Sequence, residues 1–411
     1  MKRIFYALAA IVVASCGTPK KSASGQETQD APAANDMITT LPVKSPKPVN
    51  VDATEVDRTA FALSLFNSAL SESDDKSANL IVSPYSAGMA LSMLADGAAG
   101  DTRAELLSAL CGSSYAGDVL KQGSGYSISS ANSIWLKNGF EILPAYKKSL
   151  EYSYKAMIAE RDFSSPATVK EINKWCSSNT AGRIPEIIDE ISPDMMMFII
   201  NALYFKAPWQ YQFDKNSTYP EVFHSPSGDI KTDFMHISEN FRCGENDACK
   251  YAVLPYKSGD YKMALLLPDE GADIASLLAS VSASDIEAAL SGATSRKVAL
   301  SMPKFKINTT LILNDILRKM GVRRAFGADA DFSRMTSSGV AVDQVCQKCF
   351  VEVNEEGSEA AAVTSVGVRL TSVRPEGRPF IMRLDRPFVF AIMDSATNDI
   401  LFAGRIAAPE R

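Results

Sequence analysis

Val351-Glu-Val-Asn-Glu-Glu-Gly-Ser-Glu-Ala-Ala-Ala-Val-Thr-Ser-Val-Gly-Val-Arg-Leu-Thr-Ser-Val373 satisfies two incompatible descriptions at once. Its first residues alternate as a strand does, and Gly357 permits a sharp change of direction. Ser358 to Ala362 is small and nearly featureless, and Val363 to Val373 returns to residues with strong strand preference. No large aromatic lies between Glu355 and Phe380, so about 355–379 reads as a long exposed loop, a feature that compact domains keep for function. Placed in a strand, Ser358, Ala360, Ala362, Thr364 and Val366 face one way, and Glu359, Ala361, Val363, Ser365 and Gly367 the other. The first set is small and uncharged, fit for burial; the second opens with a carboxylate that needs solvent. Exposed loops with strand preference are normally avoided as aggregation hazards.

Outward from this segment the chain has the texture of a folded body. Asp57 opens an apolar stripe of Phe61, Leu63, Leu65, Phe66 and Leu70 at helical spacing, and Ser83-Pro84 starts a second helix. Asp101 is placed to cap a third helix carrying Leu106, Leu107 and Leu110. Phe198–Phe205, Met263–Leu267, Val298–Met302, Cys346–Glu352, Phe388–Met393 and Ile400–Phe402 read as strands, with a helix over Leu311–Met320 closed by Gly321. Strands and helices mixed without regular alternation give an α+β class, and no linker interrupts residues 54–411, so they form one domain. The 411 residues, 46% hydrophobic and 22% charged, exclude a mainly disordered or collagenous chain. A net charge of -6 excludes a global basic field for nucleic acid.

Residues 1–16 differ. Lys2-Arg3 precede an apolar run from Ile4 to Ala14, the layout of an export signal, and the run is shorter than the roughly 20 residues of a spanning helix. Val13-Ala14-Ser15-Cys16 resembles a bacterial lipobox, whose cysteine becomes the lipid-modified first residue of the mature protein. Residues 17–53, rich in Pro, Lys, Ser and Thr without apolar periodicity, read as a disordered tether. Together they imply an exported protein held by a lipid on Cys16 to the cell envelope, at its periplasmic face or surface.

Catalytic signatures are missing: the sequence has no G-x-S-x-G, H-E-x-x-H, G-x-x-x-x-G-K-[ST] or G-x-G-x-x-G. Its two histidines, His224 and His236, are the sole candidates to serve a serine as base. Cys346 and Cys349 lie three apart in a strand, on opposite faces and wrong for a chelate, so no metal or cofactor is expected. Cys243 and Cys249 flank a polar turn, where an oxidising compartment favours a hairpin-closing disulfide.

The ordered fragments resemble the serpin family, from about Ala60 to Pro409. Asn79-Leu-Ile-Val-Ser-Pro-Tyr-Ser-Ala-Gly-Met-Ala-Leu-Ser-Met-Leu94 resembles its early helix, with Ser83 and Ser86 at shutter positions. Asn173-Lys-Trp-Cys-Ser-Ser-Asn-Thr-Ala-Gly-Arg-Ile184 is similar to the helix across its main sheet. Asn201-Ala-Leu-Tyr-Phe-Lys-Ala-Pro-Trp209 resembles its central strand, with Trp209 near the point of loop entry. Leu254-Pro-Tyr-Lys, Leu266-Leu-Pro-Asp-Glu-Gly, Asp385-Arg-Pro-Phe-Val-Phe and Leu401-Phe-Ala-Gly-Arg-Ile keep the family order. Glu355-Glu356-Gly357-Ser358-Glu359-Ala360-Ala361-Ala362 with Thr364 resembles the hinge of an inhibitory reactive-centre loop. The resemblance implies a large central mixed sheet with further sheets and eight to nine helices. It also implies a monomeric suicide inhibitor, not an enzyme, whose partner is a serine protease held in a covalent complex; the alternative is a non-inhibitory binding or carrier protein.

In the family the cut falls fourteen residues beyond the hinge glycine, which from Gly357 gives Thr371-Ser372 and an elastase-like target. Leu370, Arg369 and Arg374 are alternatives, the arginines suiting trypsin-like enzymes; cysteine proteases are a further target class. Two departures stand out, Gln347 in place of a histidine and Cys349 in place of a small residue, the latter fit for core packing. Where the family has His-Lys-Ala before the hinge strand, this chain has Gln347-Lys348-Cys349, and Gln347 still donates and accepts.

Overall fold

Asp57 Oδ1 accepts a hydrogen bond from Ala60 N at 2.7 Å and starts α1 (Arg58–Glu72), which buries Phe61, Leu65, Phe66 and Leu70. Ser83 caps α2 (Pro84–Gly97) with Pro84 in the first turn; this helix is apolar on all sides and nearly every residue in it is buried. Asp101 is not the cap of α3 (Gly100–Ala109): Ala99 holds that position, and Asp101 lies inside the first turn, where its carboxylate meets the helix's positive end. The computed structural model describes residues 57–121, 123–192, 194–358 and 378–410. Among them follow α4 (Pro144–Ser153), α5 (Pro166–Asn179), α6 (Ile274–Ala279), α7 (Ala283–Gly292) and α8 (Asn314–Lys319). The helix expected over Leu311–Met320 is shorter, because the preceding strand runs to Ile312.

The strands are β1 (Leu80–Val82), β2 (Ser127–Lys137), β3 (Met157–Arg161), β4 (Met197–Pro208), β5 (Thr218–Ser225), β6 (Gly228–Glu245), β7 (Cys249–Pro255) and β8 (Tyr261–Pro268). They continue as β9 (Thr294–Pro303), β10 (Phe305–Ile312), β11 (Val345–Val353), β12 (Gly357–Ser358), β13 (Phe380–Arg383), β14 (Phe388–Asp394) and β15 (Ile400–Ile406). A nine-stranded sheet runs β1-β15-β14-β8-β7-β6-β9-β13, with β5 on β6. A six-stranded mixed sheet runs β10-β11-β12-β4-β2-β3.

Alternation along β11 and β4 places the six-stranded sheet between two cores. Val345, Cys349, Val351 and Val353 of β11, with Ile199, Leu203, Phe205 and Ala207 of β4, join the main core that reaches α1, α2 and the larger sheet. Cys346, Phe350, Phe198 and Ile200 join Ile172 and Cys176 of α5 on the other face. Cys346 and Cys349 are thus separated by the sheet, as their spacing requires.

The disulfide expected between Cys243 and Cys249 does not form: both are free and buried. The hairpin register explains it. Cys243 stands opposite Ala252, three residues from Cys249, an offset of about 10 Å along the strand that no disulfide spans.

Candidate functional site

The seam between β11 and β4 is where the two strand readings of the sequence meet. The strands run parallel and pair directly from Val345↔Ile199 to Lys348↔Ala202. Above that they part, and β12 lies between them, antiparallel to both: Ser358 stands opposite Val353 on one side and Ala207 on the other. Gly357 is needed for this seat, since a Cβ there would collide with Ala207 O and Pro208 Cα.

A tight turn feeds β12. Asn354 N donates to Gly357 O at 3.0 Å, and Asn354 Oδ1 accepts from Glu356 N at 3.0 Å. Trp209, just beyond β4, grips the turn: its Nε1 donates to Asn354 O at 3.0 Å and its N to Glu356 O at 2.8 Å. The Trp209 ring stacks on Tyr256 at 4.6 Å, and the Tyr256 hydroxyl lies 2.6 Å from Ser358 Oγ. Glu356 pairs with Lys215 at 2.6 Å, and the buried Glu355 with Lys304 at 3.2 Å. Burial acts to push the Glu355 carboxyl up, but its own backbone N–H and Lys304 outweigh this and hold it below the usual range.

Lower on the seam, Gln347 and Asn201 are direct partners in the strand register. Gln347 Oε1 accepts from Ser83 N at 2.9 Å and Nε2 donates to Ser83 O at 2.8 Å. Ser83 Oγ donates to Leu401 O at 2.7 Å and caps Ser86 N at 3.1 Å, so this clasp ties β11 to α2 and β15. Asn201 turns the other way, with Nδ2 donating to Asn132 Oδ1, and Asn132 Nδ2 donating to Tyr154 O at 2.7 Å. Asn201 Oδ1 is buried with no hydrogen-bond partner among the described residues.

Of the residues singled out in the sequence, the structure gathers Glu355, Glu356, Gly357, Ser358 and Trp209 at the upper seam. Ser83, Ser86, Asn201 and Gln347 lie at the lower seam. Glu359, Ala360, Ala361, Ala362, Thr364, Arg369, Leu370, Thr371, Ser372, Arg374 and Cys16 lie outside the described residues. Sequence reasoning missed Tyr256, Lys304, Lys215 and Asn132. Tyr256 sits inside the Leu254-Pro-Tyr-Lys motif and could have been found; no local pattern marks the other three.

Neither histidine builds a hydrolase. His224 is exposed and pairs with Asp229 at 2.8 Å. His236 Nδ1 does reach Ser301 Oγ at 3.0 Å, but Ser301 is mid-strand, with β6 on one side and β13 on the other. Its flanking residues pair in the ladder on both sides, unlike a nucleophile presented on a turn before free amides.

The family model for Serpin (serine protease inhibitor) matches residues 57–409. The chain belongs to the serpin family. An uncharacterized serpin-like protein of Thermococcus kodakarensis is 35% identical over 81% of this chain and 81% of its own. The native-state crystal structure of tengpin, a thermophilic serpin, superposes with a TM-score of 0.78 at 31% identity, covering 87% of this chain and 95% of that one. Human thyroxine-binding globulin, solved with its hormone ligand, gives a TM-score of 0.76 at 25% identity over 86% of this chain and 98% of its own. Serpins generally inhibit proteases by complexing with them rather than acting as catalysts, and this chain has the serpin fold.

Proposed function

We propose that this serpin is a suicide-substrate inhibitor of serine proteases that closes its own sheet around the cleaved loop. The observation that carries the reading is the seat of β12 at the open top of the β11–β4 seam. Extending its register downward gives the next residues defined neighbours. Ala360 falls between Val351 and Phe205, Ala362 between Cys349 and Leu203, and Thr364 between Gln347 and Asn201. On insertion these would face the main core, where small side chains fit and the Thr364 hydroxyl would meet Asn201 Oδ1. Glu359 falls on the other face, between Glu352 and Lys206.

In this reading the protease serine attacks the Thr371 carbonyl, the Ser372 amine leaves, and an ester joins loop to enzyme. Freed at that bond, the loop inserts along the register above and carries the acylated protease away before water completes hydrolysis. A small uncharged Thr371 favours an elastase-like target, with cleavage at Arg369 or Arg374 favouring trypsin-like enzymes. Residues 1–16 export the chain, a lipid on Cys16 holds it at the envelope, and 17–53 act as a leash for a monomeric body.

Incubation with elastase and with trypsin, followed by denaturing electrophoresis and sequencing of the released fragment, tests this. A complex stable to SDS and a new N-terminus at Ser372 are expected. Cleavage without any complex, and without a rise in melting temperature, rejects inhibition in favour of a binding or carrier role.

A further inference from the structure

The loop's two ends are held differently. Its near end is seated between two strands, whereas its far end leads to β13, which spans only Phe380–Arg383 at the edge of the nine-stranded sheet with β9 as its one neighbour among the described residues. Such a short edge strand is a weak hold by itself. Charge reinforces it. Arg383 Nη2 lies 2.6 Å from Glu221 Oε2 of β5, although β6 and β9 intervene in the sheet. Glu221 Oε1 lies 3.3 Å from His236 Nε2 of β6, and His236 Nδ1 meets Ser301 Oγ of β9 at 3.0 Å. Tyr219 stacks on the imidazole at 4.4 Å, and Asp385 accepts from Arg383 Nε at 2.8 Å. One carboxylate, its side chain 14% exposed, therefore faces both a fixed cation and a titratable ring.

We propose that Glu221 is a positioning residue for inhibition: through Arg383 it holds β13 at the sheet edge and keeps the intact loop out of the sheet, and His236 makes this hold acid-sensitive. The inference rests on the inhibitory reading above. Burial lowers the His236 pKa, Glu221 opposes this, and Arg383 lowers it further, so the ring is neutral at physiological pH. A proton added there creates a second cation competing with Arg383 for the same carboxylate. Because the folded value lies below the ordinary 6.5, the hold is complete above 6.5 and weakens as pH falls through the lowered value.

Hydrogen–deuterium exchange of residues 380–384 in the full chain, corrected for intrinsic rates, reads the hold directly. Wild-type protection should fall at least about fivefold between about pH 7.5 and about pH 5, with faster loss of complex-forming capacity by uncleaved protein. His236→Gln should abolish the fall, and Glu221→Gln should be poorly protected at both pH values. If Glu221→Gln does not fold, Arg383→Lys, which keeps the charge but loses the fork, should be intermediate. Wild-type exchange that is flat with pH, or a fall that persists in His236→Gln, overturns the anchor even if proteases are trapped. Absence of any trapped protease overturns the inhibitory reading and with it the anchor's part in inhibition, whatever the exchange shows.

Discussion

The upper and lower parts of the β11–β4 seam are held by different means. At the top, side chains cross between the halves: Trp209, beyond β4, bonds the turn after β11, and Tyr256 bonds Ser358. At the bottom, the facing Gln347 and Asn201 each bond away from the seam, Gln347 to Ser83 and Asn201 to Asn132. Backbone pairing over Val345–Lys348 is the described connection there. Opening the top disturbs a packed aromatic nest, while opening the bottom breaks a short ladder and leaves both amide networks intact. A strand that enters from a strongly gripped top therefore has only a short backbone ladder to part below it, with no side-chain bond across.

The largest effect is expected at the grip. Ser358→Arg places a guanidinium at a 1%-exposed position and removes the bond to Tyr256. A buried unpaired charge costs several kcal/mol, so the variant should first unseat β12 from the intact sheet, and insertion, which must bury the charge again, should lose its race with deacylation. The stoichiometry of inhibition should rise until the variant behaves as a plain substrate; unchanged complex yield would place Ser358 outside the inserting strand. Ala360→Asp should act in the same direction, for the same reason.

Lys304→Met comes next. It leaves Glu355 buried without its cation, and because Lys304 itself is 38% exposed the cost lies between surface and buried pairs, roughly 1–2 kcal/mol. The pH dependence follows from Glu355. Its folded pKa is lowered below the ordinary 4.5, so the stability it contributes is present above 4.5 and lost as pH falls through the lowered value. Thermal unfolding of wild type should show this acid loss and Lys304→Met a smaller one. Equal slopes would assign the stabilisation to the backbone N–H instead.

These contrasts mark how far the sequence was legible. Strand and helix identities follow from local periodicity, so β4, β8, β9, β11, β14, α1 and α2 were readable, as was the opposition of Cys346 and Cys349. What failed depended on register or on termini: Cys243 and Cys249 look adjacent across a turn, but the hairpin pairs Cys243 with Ala252. The split of the seam was not readable. Whether Gln347 bonds across the gap or back to Ser83 is a tertiary choice, and nothing in Gln347-Lys348-Cys349 encodes it locally.

Thr364→Val tests the lower seam. The substitution keeps shape and removes the hydroxyl that the proposed insertion would bring to Asn201 Oδ1. A buried acceptor left unsatisfied costs about 1–2 kcal/mol, so the rise in stability on loop cleavage should shrink by that amount while the uncleaved protein is unchanged. If both forms shift equally, Thr364 does not reach Asn201.

The smallest effect is expected from Gln347→His. The Gln347 amide presents oxygen and nitrogen side by side, matching the C=O and N–H of Ser83 in one plane. An imidazole carries its nitrogens at diverging angles and fits one of the two bonds, a loss of about 1 kcal/mol at neutral pH. Protonation then removes the acceptor for Ser83 N, and the variant should lose further stability relative to wild type as pH falls from about 7 to about 5. Gln347, Ser83 and Leu401 do not titrate, and burial pushes the adjoining Cys349 thiol up and keeps it neutral, so the difference between the two melting curves, rather than either curve alone, isolates the clasp. Curves that remain parallel across that range would mean that Ser83 N finds another acceptor, and that the tie between β11 and α2 does not depend on the paired geometry of the amide.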